Sequence, residues 1–341
     1  MKKILLPILG AIGALLVALI FTFPMLSMQP RNVPVGVLSK DVGMTTPKGE
    51  MNAGEMFVGK ITEGENPLIN FEKVEDVNEL EQGLDAGKYY ATMVVPEDYT
   101  KQSATGEGKI IVTINEGLNA MVTMQLTAAL NAMAEQSGLN LEINSINSVT
   151  TLGLKAMLLP MLLIMMTFII SLVTAFVITS CLKNEVKWKG YLAQAGYIVV
   201  IAFAIGFTVA GVAIGIAGVE IEVAKAGLFL SLVSLALMLI SNGAIKLWGR
   251  KGLVVPVLLF ILGIGTVQLP FEYLNEVWQV LVASWEPFRY IGNGMREVLY
   301  QGHGVWNSAA ASIVALALVG IGLSFIDLCK KEKADKKAKK N

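Results

Sequence analysis

The sequence is poor in the residues from which most metal and redox sites are built. Histidine occurs once, at His303, and cysteine twice, at Cys181 and Cys329, each cysteine ending a long apolar run. So few residues, so far apart, give neither a disulfide framework nor metal-ligand spacing. Glycine-rich phosphate loops and nucleophile motifs are lacking as well. The sequence therefore predicts no catalytic residues, no metal site and no cofactor held by this chain.

Charge is also scarce, because 16% of the residues are charged and 54% are hydrophobic, whereas a soluble domain has about 25% charged residues. A helix needs about 20 apolar residues to cross a membrane. Runs that approach or exceed this length lie at 4–23, 154–182, 191–218, 226–245, 253–269 and 308–328. The predicted fold class is an α-helical membrane protein with six transmembrane helices.

The distribution of charge predicts an orientation. The apolar run in residues 1–27 follows Lys2 and Lys3 and is interpreted as an uncleaved signal anchor. If six spans are drawn, these lysines, the basic residues at 183–189 and 246–251, and the lysine-rich tail at 330–341 fall on one side. Short basic loops stay in the cytoplasm, so both termini are expected there, in a bacterial plasma membrane. The tail is expected to contact membrane lipid rather than nucleic acid.

Residues 28–153 have a different composition and predict a mixed α/β extracytoplasmic domain inserted after the first helix. The segment 31–155 carries 17 acidic and 9 basic residues. Alternating apolar residues predict strands at 33–38, 69–74, 89–95 and 109–114, and helical patterns lie at 51–61 and 76–87. Asp76 and Glu79 have the spacing of a helix capping box. An amphipathic helix carrying Val122, Leu126 and Leu130 is expected to lead towards the second span.

Three segments resemble the type-2 ABC exporter permeases and their YhgE/phage-infection-protein relatives. Val33-Pro-Val-Gly-Val-Leu-Ser-Lys-Asp41 is similar to the strand that begins the extracytoplasmic domain of that family. The most specific similarity is that of residues 77–100, a helix followed by Tyr-Tyr-Ala-Thr-Met-Val-Val-Pro-Glu-Asp. Residues 286–300, Glu-Pro-Phe-Arg-Tyr-Ile-Gly-Asn-Gly-Met-Arg-Glu-Val-Leu-Tyr, resemble the segment before the family's last span.

The resemblance implies a permease-like subunit that exports a hydrophobic, amphipathic or polymeric substrate. Residues 154–329 would form a five-helix permease domain, working as a homodimer with a separate ABC ATPase that binds ATP, because this chain has no Walker A motif. The loop matching the family's ATPase-coupling loop contains Lys183, Asn184, Glu185, Lys187 and Trp188. The segment 270–306 would form re-entrant helices closing the outer end of a pathway.

Two interpretations stay open for the segment 270–306, since its aromatic residues also suit an interfacial anchor. Glu286 and Arg289 are three residues apart and could form an ion pair, whereas the neighbours Arg296 and Glu297 would point apart on a helix. Asn242, a polar residue inside a span, is expected to bond to a neighbouring helix. The alternative function is a non-transporting surface receptor or a scaffold for a secretion apparatus.

Overall fold

The computed structural model of the protein describes residues 12–13, 15, 31–47, 49–182, 188–218 and 222–338. The predicted first span, apart from residues 12, 13 and 15, and the loop 183–187 lie outside these residues. The described chain forms two compact units. We call the unit that ends at Ala156 and takes in Glu272–Leu274 the α/β domain, and the unit formed by Met157–Phe271 and the chain from Asn275 onwards the helical unit.

The α/β domain is built on a five-stranded mixed sheet with the strand order β4-β1-β5-β6-β7. Its strands are β1 (Val33–Ser39), β4 (Ile69–Lys73), β5 (Ala91–Val95), β6 (Lys109–Asn115) and β7 (Asn140–Ile146), and β2 (Met44–Thr46) and β3 (Gly49–Met51) form a separate hairpin. Strand β1 is parallel to β4 and to the central strand β5, while β6 runs antiparallel to β5. The predicted strands are confirmed, and β7 was missed.

Helices cover this sheet: α1 (Ala53–Glu63), α2 (Val77–Asp85), α3 (Tyr99–Ala104) and α4 (Ala120–Ser137). Asp76 caps α2 as predicted, accepting the backbone N–H of Asn78 at 3.1 Å. The Glu79 carboxylate lies 3.5 Å from Lys88 Nζ.

The core of the domain consists of alternate β-strand residues and one face of α4. Val33, Val35 and Val37 are fully buried, as are Val122 and Leu130 of α4. The expectation that α4 leads to the second span is wrong. The helix ends at Gly138, whose φ of 64° reverses the chain, and β7 pairs with β6 before the membrane helices begin.

A short connection joins β7 to the first long apolar helix. The carboxylate of Glu116 accepts hydrogen bonds from Ser148 Oγ at 2.7 Å, Thr150 Oγ1 at 2.8 Å and the backbone N–H of Val149 at 3.1 Å. Three donors on consecutive residues hold this connection against the loop after β6. Burial alone would raise the pKa of Glu116, but the hydrogen bonds of Ser148, Thr150 and Val149 lower it below its usual value.

The helical unit contains α5 (Leu154–Cys181), α6 (Trp188–Ala217), α7 (Val223–Trp248), α8 (Val254–Gln268), α9 (Glu276–Trp278), α10 (Pro287–Tyr300) and α11 (Ala310–Ala338). Among the described residues, four helical stretches are long and apolar enough to cross a membrane: Leu154–Cys181, Lys189–Ala217, Val223–Val267 and Ala310–Lys337. The third stretch contains α7, a tight turn at Gly249–Leu253 and α8. The last helix continues through the lysine-rich tail to Ala338.

Helix α7 lies between α6 and α11 and approaches both through glycine. A side chain at Gly206 of α6 would lie 2.3 Å from the backbone nitrogen of Ser231, and one at Gly243 of α7 would lie 2.4 Å from Gly320 O of α11. By contrast, Gly211 and Gly215, which also have the spacing of a packing motif, have open space beside them. Close packing in lipid relies on such small residues, and here it centres on α7.

Candidate functional site

The segment between α8 and α11 forms a compact helical structure rather than an extended loop. Helix α9 continues as a π-helix at Gln279–Ala283, the chain turns, and α10 begins at Pro287. Proline suits this first position because its fixed φ matches the helix and the helix needs no donor there. Phe288 of α10 packs edge-on against Phe168 of α5 and Phe260 of α8, which stack at 4.0 Å. These aromatic contacts place the start of α10 between two long helices.

Glu286 caps α10 with a carboxylate that has no solvent exposure. It accepts the backbone N–H groups of Phe288 and Arg289, each at 2.9 Å, and the hydroxyl of Thr266 on α8 at 3.0 Å. A carboxylate at a helix N-terminus accepts hydrogen bonds from backbone N–H groups that have no partner within the helix. Its negative charge is also stabilised by the helix dipole. The carboxylate lies against Gly263 of α8, where a side chain would collide with it. Glu286 therefore joins α8 to α10 through hydrogen bonds.

Arg289 contributes its backbone, not its guanidinium, to this cap. The guanidinium donates to Ala283 O at 2.8 Å and lies over the rings of Phe271 at 4.3 Å and Tyr290 at 5.0 Å. A cation over an aromatic face is stabilised by the ring quadrupole. The expected side-chain ion pair between Glu286 and Arg289 is therefore corrected: the two residues meet through a helix cap instead.

Arg296 and Glu297 point apart, as their adjacent positions on a helix predict. The guanidinium of Arg296 is buried and donates to Val267 O of α8 and to Asn293 Oδ1 at 3.0 Å. Glu297 lies 3.4 Å from His303 Nδ1 and accepts the backbone N–H of Ser308 at 3.3 Å. One residue holds α10 to α8, and the other organises the turn before α11.

An apolar cleft of about 510 Å³ opens beside the start of α10. Its walls come from α7, α8, α11 and the turn before α10, and include Ile240, Leu258, Leu262, Trp285, Pro287 and Leu316. A cleft of this size and chemistry is typical of a site for an apolar ligand or a lipid chain. The turn that leads into α10 therefore also forms part of an apolar surface through Trp285 and Pro287.

Asn242 is another buried polar residue and lies towards the C-terminal end of α7. Asn242 is 3% exposed, and its Nδ2 has no hydrogen-bond partner among the described residues. No hydrogen bond from this nitrogen to a neighbouring helix is found within the described part of the chain, and the expected interhelical bond of Asn242 stays a prediction. Nearby, the hydroxyl of Tyr191 on α6 donates to Asp327 of α11 at 2.6 Å, and Lys331 pairs with the same carboxylate at 2.8 Å.

Sequence reasoning missed Tyr191 and Asp327. A signal was available, since Asp327 and Lys331 are four apart on a helix that is otherwise apolar up to this point, a spacing that favours an ion pair. The predicted ATPase-coupling residues Lys183, Asn184, Glu185 and Lys187 lie outside the described residues. So does the side chain of Trp188. The described part of the chain brings no three His, Cys, Asp or Glu side chains together as a metal site would require.

Long apolar helices, small residues at their contacts and buried helix caps define an α-helical membrane protein. The chain belongs to the ABC-2 family of transporter proteins, whose pattern matches residues 3–326. It is thus a membrane subunit of a transporter and not itself a catalytic enzyme. Comparison with the curated proteins and with the solved structures finds no match to the chain.

Proposed function

We propose that this protein is the permease of an ABC-type exporter of the YhgE/phage-infection-protein kind. It moves a hydrophobic, amphipathic or polymeric substrate outward, and a separate ATPase subunit supplies the energy. The family match over residues 3–326 carries this proposal, because members of that family normally work with an ABC ATPase. The apolar cleft beside α10 supports an apolar or amphipathic substrate, since its walls offer almost no hydrogen-bonding groups.

The proposed topology has six spans: residues 1–27 as a signal anchor and five more spans within 154–329. The α/β domain at 28–153 faces outward, and both termini and the tail at 330–341 face the cytoplasm. The separation of basic and acidic residues along the sequence supports this arrangement. In this orientation the α9–α10 segment lies near the outer face, where Glu286 and Arg296 hold it to α8.

The proposed ATPase contact is the loop containing Lys183, Asn184, Glu185, Lys187 and Trp188, which would lie in the cytoplasm. A permease of this kind works as a homodimer, so that two such loops can engage two ATPase subunits. Charged side chains in this short loop suit a polar, exposed interface.

Co-purification tests the proposal directly. The full chain, isolated in mild detergent, is expected to carry an ATPase whose ATP hydrolysis rises when the pair is reconstituted in lipid. The double variant Lys183→Ser and Lys187→Ser should lose the ATPase, because the loop loses both of its positive charges. Lys225→Ser is the matched control, because Lys225 lies at the beginning of α7 and on the outer side in the proposed topology. This variant should retain the ATPase.

Absence of an ATPase would contradict the proposal. If no ATPase accompanies the wild-type chain and reconstitution gives no stimulated hydrolysis, the exporter proposal is wrong. The receptor or scaffold alternative would then be the one to pursue.

A further inference from the structure

Three helix faces line a partly open cavity of about 280 Å³ in the helical unit. Its walls come from the beginning of α6, the end of α7 and the middle of α11, with residues spaced three or four apart on each helix. Such spacing places successive side chains on one face. The walls are mostly apolar and include Leu192, Ala195, Ile198, Leu239, Ile321 and Phe325. The cavity is therefore suited to an acyl chain rather than to water.

A second, polar cavity of about 370 Å³ continues from the first. The two share Tyr191, Gln194 and Lys246, and the second adds the cations Arg250 and Lys331. An apolar cavity that opens into a basic one has the amphipathic character of a phospholipid.

The charges around these cavities do not balance. Three cations, Lys246, Arg250 and Lys331, face one carboxylate, Asp327, which gives a net charge of +2 for these four residues. Within the described part of the chain, Lys331 is the cation of this group that pairs with a carboxylate. The Lys246 ammonium instead lies over the Tyr191 ring, 3.7 Å from its centre. Among the described residues, Lys246 and Arg250 therefore have no carboxylate partner and are available to an anionic group.

Asn242 gives an independent indication of a ligand. It lines the apolar cavity one helical turn before Lys246 and is almost fully buried, and its Nδ2 has no partner among the residues that the structure describes. A buried amide donor without a partner costs free energy that a bound acceptor would recover. Ester carbonyl oxygens of a phospholipid are such acceptors, and they lie between the phosphate and the acyl chains.

We infer that these joined cavities bind one anionic phospholipid. Its phosphate lies between Lys246 and Arg250, its ester region accepts a hydrogen bond from Asn242, and one acyl chain follows the apolar walls between α6 and α11. Basic pockets between membrane helices bind anionic headgroups in this way. The inference goes beyond export and does not depend on an ATPase.

The lipid preference of the delipidated wild-type chain is the first test. Phosphatidylglycerol, phosphatidylcholine and inorganic phosphate are each titrated into the detergent-solubilised protein, with bound lipid counted by native mass spectrometry and the melting temperature recorded. We expect one phosphatidylglycerol to bind at concentrations at least tenfold lower than phosphatidylcholine, and phosphate alone to leave the melting temperature unchanged. Equal binding of the two lipids would overturn the inference. A full shift with phosphate alone would show an anion site without a lipid.

Substitutions then locate the site. Lys246→Gln combined with Arg250→Gln should weaken phosphatidylglycerol binding about tenfold or more and leave phosphatidylcholine unchanged, whereas Lys246→Arg should retain the preference. Asn242→Leu keeps the branched shape of the side chain but removes the donor, and should weaken both lipids. Lys251→Gln, an exposed neighbour outside the cavities, is the matched control. If Lys251→Gln lowers the preference as much as the double variant, binding is a general surface attraction and the assigned site is wrong.

Discussion

The two compact units bury polar groups in different ways. In the α/β domain, apolar residues of the sheet and of α4 form a continuous core, and the buried carboxylate of Asp41 lies at its edge. In the helical unit, polar contacts occur between long apolar helices, as in the 2.7 Å hydrogen bond between Ser171 of α5 and Ser234 of α7. Water drives the first core together, whereas lipid is as apolar as the helices it surrounds. The helical unit must therefore gain specificity from close backbone approach and from buried hydrogen bonds.

The largest loss of stability is expected on replacing Gly320, which tests whether the helical unit depends on close backbone approach. A Cβ atom there would lie 2.3 Å from the backbone carbon of Leu239, so that Gly320→Val must separate α11 from α7. We expect destabilisation on the order of 3 kcal/mol, or loss of monodisperse protein. Size-exclusion chromatography and the melting temperature in detergent measure the effect. Gly322→Val, two residues along the same helix, meets no atom within 4 Å and should be tolerated. Equal behaviour of the two variants would refute close packing at Gly320.

The second-largest loss of stability is expected on removal of the buried Glu286 cap of α10. Glu286→Ala removes the acceptor for two backbone N–H groups and for Thr266, and leaves a cavity at a site without solvent. A loss of about 2–3 kcal/mol is expected, because buried donors are left without partners. Glu286→Gln keeps one acceptor oxygen and should lose less. Protection of the amides at 288–290 against hydrogen exchange reports the cap directly.

The control for this cap is Glu276→Ala, which changes an exposed acidic residue at the start of α9. It should leave both stability and amide protection of α10 nearly unchanged. If Glu286→Ala resembles it, the hydrogen bonds of the cap contribute little, and α10 is held by its aromatic contacts instead.

How much the sequence could predict differs between the units for a physical reason. Local patterns gave most strands and helices, since alternation and helical spacing are visible in short windows. Strand β7, Asn-Leu-Glu-Ile-Asn-Ser-Ile, was missed because it is an edge strand whose side chains are largely exposed. The contact of Tyr191 with Asp327 joins residues 136 positions apart, and no local pattern reports such a distance.

The segment after α8 also makes contacts that no local sequence pattern predicts. Glu272–Leu274 belong to the α/β domain, although they lie between two elements of the helical unit. Tyr90 donates its hydroxyl to Glu272 at 3.0 Å, and Tyr273 is buried in the core of the domain. Both predictions for this segment, re-entrant helices and an interfacial anchor, placed it at the membrane, and neither distinguishes a residue that faces lipid from one that completes a protein core.

Asp41 carries a buried carboxylate in the α/β domain, as Glu286 does in the helical unit. It accepts hydrogen bonds from the Thr100 hydroxyl and from the backbone N–H groups of Gly54 at 2.9 Å and Thr100 at 3.1 Å. Burial alone would raise the pKa of Asp41, but these hydrogen bonds lower it below the usual 3.8. Since the folded state favours the charged form, the stabilisation is complete above about pH 4 and is lost as the pH falls through the lower, folded pKa.

Asp41→Asn should therefore cost about 1–2 kcal/mol at neutral pH, the smallest effect of the three, because one acceptor oxygen remains. It should also remove part of the acid sensitivity of the domain. Pepsin cleavage within residues 31–150 of the full chain, followed between about pH 5 and about pH 3, measures both. Wild-type protein should become susceptible as the pH falls, whereas the variant should start more susceptible and change less. Glu81→Gln, an exposed carboxylate on α2, should follow the wild-type curve. An Asp41→Asn curve parallel to that of the wild type would mean that other carboxylates set the acid response of this domain.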